Sequence, residues 1–530
     1  MWPGNSIYSR PLRIFEIGLL VFSASLPFSN FGMSLGQIIM LLAWIFDGAL
    51  ISKIKDLFRT PIYYCWTVIF FLLLASLIMG GDITYGLNDL RVKLPLLIFP
   101  LVFSAFDNRL SKRFIKTALW TFSFAVLLSF LVSFFIQNGA FEFYPDSTKR
   151  FSPFISHIRL AMMGALAVVF FFSELDNSKS LGIRLICVVS CLIITSGLIQ
   201  FAWLSGLLAL ILVFVFHSFY KVFTSISRKV ERFFWSVAAL SPFVFLIAVF
   251  VCNADFFGYP LGAPLPLFEK TANGRYFEQH PELDFAENGY RFGDNIHWRE
   301  LKSAYLKRTG RHTDSINPAG WKEETVLIRY LTSKNLTKDS TGVYSLTVND
   351  LKNIAQGVPN YLLPGKDNFS IKFYELLIDY QGFIGGYNPY GHTLSMRIYA
   401  WKRALDIVAE NPYFGVGIGG VKLAFESSYQ KDKFNIPPHA RIRAHNQFLT
   451  LFVALGIPAG LLCLFLIFWP PIHLRKILPI TFIYFCLLPI FSMLFEDSLE
   501  TQAGVSMVLF AYFIWIPTRK RIVKMRSCIN

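Results

Sequence analysis

Apolar residues fall in blocks of membrane-spanning length near 13–30, 33–50, 61–79, 91–107, 114–137, 153–173, 181–198, 200–217 and 233–252. Three more follow near 446–469, 477–495 and 502–517. The pattern predicts an all-α polytopic membrane protein with about twelve transmembrane helices. Its expected divisions are 1–252 with about nine helices, a hydrophilic region over 253–444, and 445–530 with three helices and a basic tail. The hydrophilic region opens on the Pro/Gly-rich NADFFGYPLGAPLPLFEK. Short helical patterns then alternate with turn signals: RELKSAYLKR, KEETVLIRYLTSK and LTVNDLKNIAQ. With so few helices and no cysteine staples, this region is expected to lie on the membrane helices as a lid. Near its end, Ile398, Trp401, Ala404, Leu405 and Val408 recur at helical spacing while Arg397, Lys402, Arg403 and Asp406 project elsewhere. That predicts a helix over 396–411 lying at a membrane surface, stopped by Pro412 and followed by Gly415, Gly417, Gly419 and Gly420.

Composition strengthens the membrane reading: 54% of the 530 residues are hydrophobic and 56 are phenylalanine. The formal charge of +16 could suggest nucleic acid, but its placement argues against that partner. Arg10 and Arg13, then Lys53, Lys55 and Arg59, then Lys112, Arg113 and Lys116 fall in alternate connections. Lys179 and Arg184, Lys221 to Arg232, Arg475 with Lys476, and the tail from Arg519 continue the same side. This positive-inside bias assigns those loops and both termini to the cytoplasm and 253–444 to the outside. The seven cysteines show no disulfide framework or zinc spacing. The first apolar block lacks a small-residue cleavage site and is read as a retained helix. A transporter would show several paired charges and broken helices at mid-membrane. Apart from Arg159, which the pattern puts about two turns into the sixth span, the spans show few.

The residues that suggest chemistry are few. HARIRAHNQFLTLFVALGIPAG places Arg441, Arg443 and His445 just ahead of an apolar helix. His445 reads either as an interfacial histidine or as a base, since a neutral imidazole can take a hydroxyl proton at ordinary pH. Arg159 reads as a cavity-facing cation, because a charge inside a span marks a substrate path; Arg150 and His157 flank it. Arg91 and Lys93, on the external side, read as side chains snorkelling to headgroups. Glu496, Asp497 and Glu500 read as a solvated helix end, or as partners of the arginines, or as a second base. Trp401 reads as an interfacial anchor, and the glycines as a turn or a backbone nest for phosphate. His439 could pair with His445 on a metal, but Arg441 and Arg443 between them disfavour a cation. No Asp-x-Asp, HExxH or Gly-x-x-x-x-Gly-Lys occurs, so no metal and no nucleotide cofactor is expected.

These residues resemble a known pattern. Arg397 and Trp401 ahead of NPYFGVGIGG, then AHNQFLTLFVALGIPAG, are similar to the C-terminal signature shared by bacterial O-antigen ligases and O-antigen polymerases. The matching positions are Arg397, Trp401, Pro412, Gly415, Gly417, His445, Asn446, Gly456 and Gly460. The resemblance implies a C-type glycosyltransferase-like membrane fold in the bacterial inner membrane, with its large loop region and active site on the periplasmic side. It implies an undecaprenyl-diphosphate-linked glycan as donor and lipid A-core as acceptor, with no cofactor. By position it makes His445 the base and Arg397 the diphosphate ligand, with Arg159, Arg441 or Arg443 completing a clamp. Asn446, Gly415, Gly417, Arg150 and Glu496 would support them. The family often carries Ser-Arg at the eighth span; QFAWLSGLLAL has no arginine there. The polymerase and a protein O-glycosylating ligase remain alternatives within the same resemblance. Arginine's planar fork suits a diphosphate leaving group in any of them.

Overall fold

The computed structural model describes all residues except 1–9, 140–151, 225–228, 258–265, 282, 284–285, 432–433, 435, 476–477 and 517–530. The candidate Arg150 therefore lies outside the described residues. The chain forms two compact units. One comprises the described residues of 1–142, 151–239 and 400–530; the other contains Leu240–Tyr399.

The first unit is helical. Its N-terminal part runs through α1 (Arg10–Ser25), α2 (Asn30–Phe46), α3 (Leu50–Arg59), α4 (Pro61–Ala75), α5 (Ile83–Lys93), α6 (Pro95–Phe106) and α7 (Lys112–Gln137). Then follow α8 (His157–Asn177), α9 (Leu181–Gln200), α10 (Leu204–Thr224) and α11 (Lys229–Cys252), the last crossing the unit boundary. Local chemistry sets the starts. Ser29 and Ser111 cap α2 and α7 by accepting from backbone N–H groups, and Pro61 and Pro95 open α4 and α6 where a missing N–H costs nothing. Helices α1 and α2 touch backbone to backbone through glycine. A Cβ on Gly36 would lie 2.7 Å from Phe22, and one on Gly18 would lie 2.9 Å from Met40.

The second unit holds α12 (Trp298–Thr309), α13 (Glu323–Ser333), α14 (Ser340–Ser345), α15 (Val348–Gln356) and α16 (Asn368–Ile384). Three of these realise the short helical patterns read from sequence, and α15 carries a full capping box between Thr347 and Asp350. The region buries a core of its own: Leu301, Tyr305, Leu327, Tyr330, Leu331, Val343 and Ile354. Beside it Glu287 is fully buried but satisfied, accepting from Arg329 at 3.0 and 3.1 Å and from the Tyr374 hydroxyl at 2.6 Å. The region thus has an apolar centre of its own.

Helix α17 (Thr393–Glu410) crosses between units at Tyr399 and Ala400. The first unit resumes with α18 (Val421–Gln430), α19 (Gln447–Leu474), α20 (Ile480–Ser492) and α21 (Gln502–Phe513). Helix α21 is buried at every residue from Ala503 to Phe513. Phe513 stacks on Tyr63 and meets Phe99 and Phe103, and Phe510 meets Phe22 and Phe122, so α21 is the hub of this unit.

All twelve apolar blocks are helical, yet only seven described helices are long and apolar enough to span a membrane. An eighth is counted if α2 and α3, bent by 117°, form one broken span. The expected number, about twelve, counted apolar residues without regard to backbone continuity. The block near 91–107 breaks at Leu94 into α5 and α6, and α1, α20 and α21 have 16, 13 and 12 residues, short of the ~20 that a bilayer core asks of a helix. The face of α17 is also corrected. Ala400, Ala404, Ile407 and Val408 are buried, whereas Leu405, expected on the apolar face, is 56% exposed.

Candidate active site

The site grows from a break in a helix. Within α19, Gly456 adopts φ 74° and ψ 178°, which turns Ile457 N away from the Val453 carbonyl, while Pro458 has no N–H to offer the Ala454 carbonyl. Val416 and Gly417 of the glycine-rich turn donate to those carbonyls at 2.9 and 3.0 Å, and Ile457 N donates to Pro412 O at 2.7 Å. Only glycine allows this approach: a Cβ on Gly415 would lie 2.5 Å from Val453 O, and one on Gly456 would lie 2.5 Å from Tyr413. On its other side the turn meets the junction between α4 and α5, where Ile418 N donates to Ser76 Oγ and Asp82 N donates to Gly419 O. The amides of Val416, Gly417 and Ile418 are thus occupied in wedging the turn between two elements. Gly456→Ala is expected to destabilise the protein by at least about 1–3 kcal/mol from backbone strain alone. An unchanged thermal midpoint of the solubilised variant would contradict the break.

The start of α19 fixes His445. Asn446 caps the helix, accepting from Phe448 and Leu449 N–H at 3.0 and 3.1 Å, while its own amide donates to Leu494 O. Gln447 N donates to Met493 O, and Leu499 N donates to Gln447 Oε1. These bonds tie the helix start to the 493–500 loop. His445, one residue earlier, has a left-handed backbone with φ 44°, a conformation in which non-glycine residues are uncommon. Its Nδ1 lies 3.7 Å from Glu496 Oε2, with no hydrogen-bond partner among the described residues.

Arg159 completes this end of the unit. Helix α8 starts at His157, so Arg159 stands in its first turn, not two turns deep. It lies within electrostatic reach of Glu496 and Asp497, and its Nε is buried without a hydrogen-bond partner among the described residues. Asp497 accepts from Thr450 Oγ1 at 2.8 Å. Burial pushes its carboxyl above the ordinary range against the opposing pull of Arg443.

Behind His445 lies a buried ionic network in which Glu500 is a partner of an arginine, one of the alternatives read from sequence, and not part of a solvated helix end. Lys93 Nζ contacts Asp89 and Glu500, each at 2.6 Å, and Arg443 reaches Glu500 at 3.0 Å and the Tyr85 hydroxyl at 3.2 Å. Gln447 Nε2 adds a bond to Glu500 Oε1 at 3.3 Å. Lys93 is 1% exposed, which corrects its reading as a snorkelling side chain; Arg91 is exposed. The signal was present in sequence, as two cations on the side where positive-inside bias would not put them. Burial raises the Glu500 carboxyl, but Lys93 and Arg443 outweigh it and hold it below the usual range. Burial likewise disfavours the Arg443 charge, and Glu500 more than restores it. Arg443 is therefore neutralised in place. Arg441 donates through Nε to Ile436 O at 3.0 Å and has no carboxylate partner among the described residues. Arg397 belongs to the other unit, on the first part of α17.

Residues 362–465 match the family model Wzy_C, described as O-antigen ligase. Over these residues the chain is similar to the O-antigen ligase superfamily. The match takes in Arg397, the glycine-rich turn, Arg441, Arg443, His445 and the broken part of α19, while Arg159, Lys93, Glu496 and Glu500 lie outside it. No curated protein matches the chain. The O-antigen ligase family that this segment resembles implies a glycosyltransferase-type enzyme with glycan and lipid substrates.

Proposed function

We propose that this protein transfers a glycan en bloc from an undecaprenyl-diphosphate carrier to a sugar hydroxyl of lipid A-core, at the periplasmic face of the inner membrane. The observation that carries the reading is His445, held in a left-handed backbone at the capped start of α19 and facing Glu496, inside the O-antigen ligase match. In this scheme the acceptor oxygen attacks the anomeric carbon of the donor's first sugar. The carbon–oxygen bond to the diphosphate breaks, and undecaprenyl diphosphate leaves with the electron pair. The acceptor proton passes to His445 Nε2, and Glu496 beside Nδ1 favours the imidazolium that results. The 3.7 Å separation suits a site that tightens when substrate arrives.

Arg159 is a diphosphate ligand in this scheme, with Arg441 as a second cation; Arg397 is proposed for the same role by its place in the sequence motif alone. Arg159 has no ion-pair partner within contact distance among the described residues, so its guanidinium is available to an incoming anion. Arg159→Ala is expected to raise the KM for the lipid-linked donor about tenfold or more, and Arg159→Lys to rescue poorly because the bidentate fork is lost. Wild-type kinetics in both variants would remove Arg159 from the clamp. The reaction itself is tested by deleting the gene. Loss of a ligase leaves lipid A-core bare while long lipid-linked polymer accumulates; loss of a polymerase leaves single glycan units on the carrier.

A further inference from the structure

The cleft between α17 and α18 has no part in the scheme above. It is lined only by residues between 403 and 431, inside the first unit, and encloses about 350 Å3, toward the small end of the range for small-molecule sites. Its floor is apolar, formed by Ile407 and Ala424. Arg403, Asp406 and Glu410 line one wall from a single face of α17. Ser427 and Ser428 of α18 line the other, with Lys431 just past the end of that helix.

The charges cancel in pairs. Arg403 lies 3.0 Å from Asp406, and Lys431 lies 3.6 Å from Glu410. Two cations against two carboxylates leave no net field to draw in a diphosphate or a nucleotide. What remains is an alternation of donors and acceptors above an apolar floor, with the Asp406, Glu410 and Lys431 side chains about half exposed or more and so open to a ligand. A pyranose ring has the complementary surface: hydroxyls around its edge that both donate and accept, and a face of C–H groups. The geometry points to a subsite for one neutral hexose-type residue of a glycan, some distance from the reacting bond.

The cleft is linked to His445 through α18. Tyr429, next to Ser428, is 2% exposed, and its hydroxyl donates to Ile442 O at 3.0 Å, three residues before His445. A sugar bridging the two walls steadies α18 and with it the segment that leads into His445. Binding energy from a part of the substrate that does not react is thereby turned to positioning at the part that does. The inference rests on the glycan-transfer reading for its biological meaning, but the binding itself does not.

The test is binding of neutral sugars (glucose, galactose, mannose, N-acetylglucosamine) and charged ones (glucuronate, glucosamine) to the full-length protein. It is read by saturation-transfer NMR in a detergent without a sugar headgroup. At least one neutral sugar should bind, and Ser427→Trp, which fills the cleft from an exposed position, should weaken it about tenfold or more. Asp406→Asn should weaken the same sugar, and His445→Ala should leave it unchanged. Failure of every neutral sugar to bind, tighter binding of a charged one, or indifference to both cleft variants overturns the subsite. In transfer assays Ser427→Trp should raise one KM and lower kcat as well, because the positioning of the His445 segment is lost with the sugar. A raised donor KM assigns the cleft to the donor glycan and a raised acceptor KM to the acceptor; no change in either overturns it. Sugar binding in a protein that shows no transfer would refute the ligase reading and leave the subsite standing.

Discussion

His445→Ala is expected to lose about two to four powers of ten in transfer rate, the usual cost of removing a general base. Donor affinity should persist, because Arg159, Arg441 and Arg397 remain. Alanine also introduces strain at this position, since the backbone φ is 44°. His445→Asn is the cleaner variant, because asparagine tolerates the left-handed region and cannot serve as the base. Equal loss in both, with an unchanged thermal midpoint in the asparagine variant, assigns the effect to proton transfer. A chelator should leave the wild-type rate unchanged. Near-normal turnover of purified, folded His445→Asn, with donor and acceptor supplied, would reduce this histidine to an interfacial anchor. Suspicion would then move to Glu496 and Asp497.

The second large effect is on stability. Glu500 is 5% exposed at its side chain and faces both Lys93 and Arg443, so two cations depend on one carboxylate. Glu500→Gln keeps the shape and removes the charge, leaving Lys93 with Asp89 alone and Arg443 with only the Tyr85 hydroxyl. Stripping one partner from a buried ion pair typically costs about 3–5 kcal/mol, mostly the penalty of the stranded charge. Removing Arg443 as well, as Glu500→Gln with Arg443→Met, restores a one-to-one balance between Lys93 and Asp89 and should recover much of the loss. Thermal unfolding of the solubilised variants checks both; a single variant as stable as wild type would refute the network's role. The pH dependence follows from the direction of the shift. A carboxyl held below its unfolded pKa contributes stability that is complete above that pKa and is lost as pH falls through the lower folded value. The contribution of Glu500 should therefore be complete at neutral pH, begin to fade as pH falls through the ordinary carboxylate range, and be gone only in strong acid.

The chain's apolar periodicity was sufficient to place helices at all twelve blocks and at the three short patterns of the hydrophilic region, because both signals are local. The type and order of Arg397, the glycine-rich turn, His445 and Asn446 were equally legible, and residues 362–465 carry the family match. Local pattern could not show where a helix stops being continuous. Leu94, Gly456 and the 117° bend after α2 are backbone events inside or beside apolar sequence that a count of apolar blocks does not register. Nor could it show which charges meet. Glu500 lies 407 residues from Lys93 and 57 from Arg443, and only folding joins them. Arg159 reaches the Glu496–Asp497 loop in the same way. The sequence by itself determined the helices, the motif and the residue types that chemistry needs, because each depends on near neighbours. The tertiary structure decided which cation is neutralised, which is left open, and what holds His445 in its left-handed turn, because electrostatic pairing depends on distances that chain order does not set.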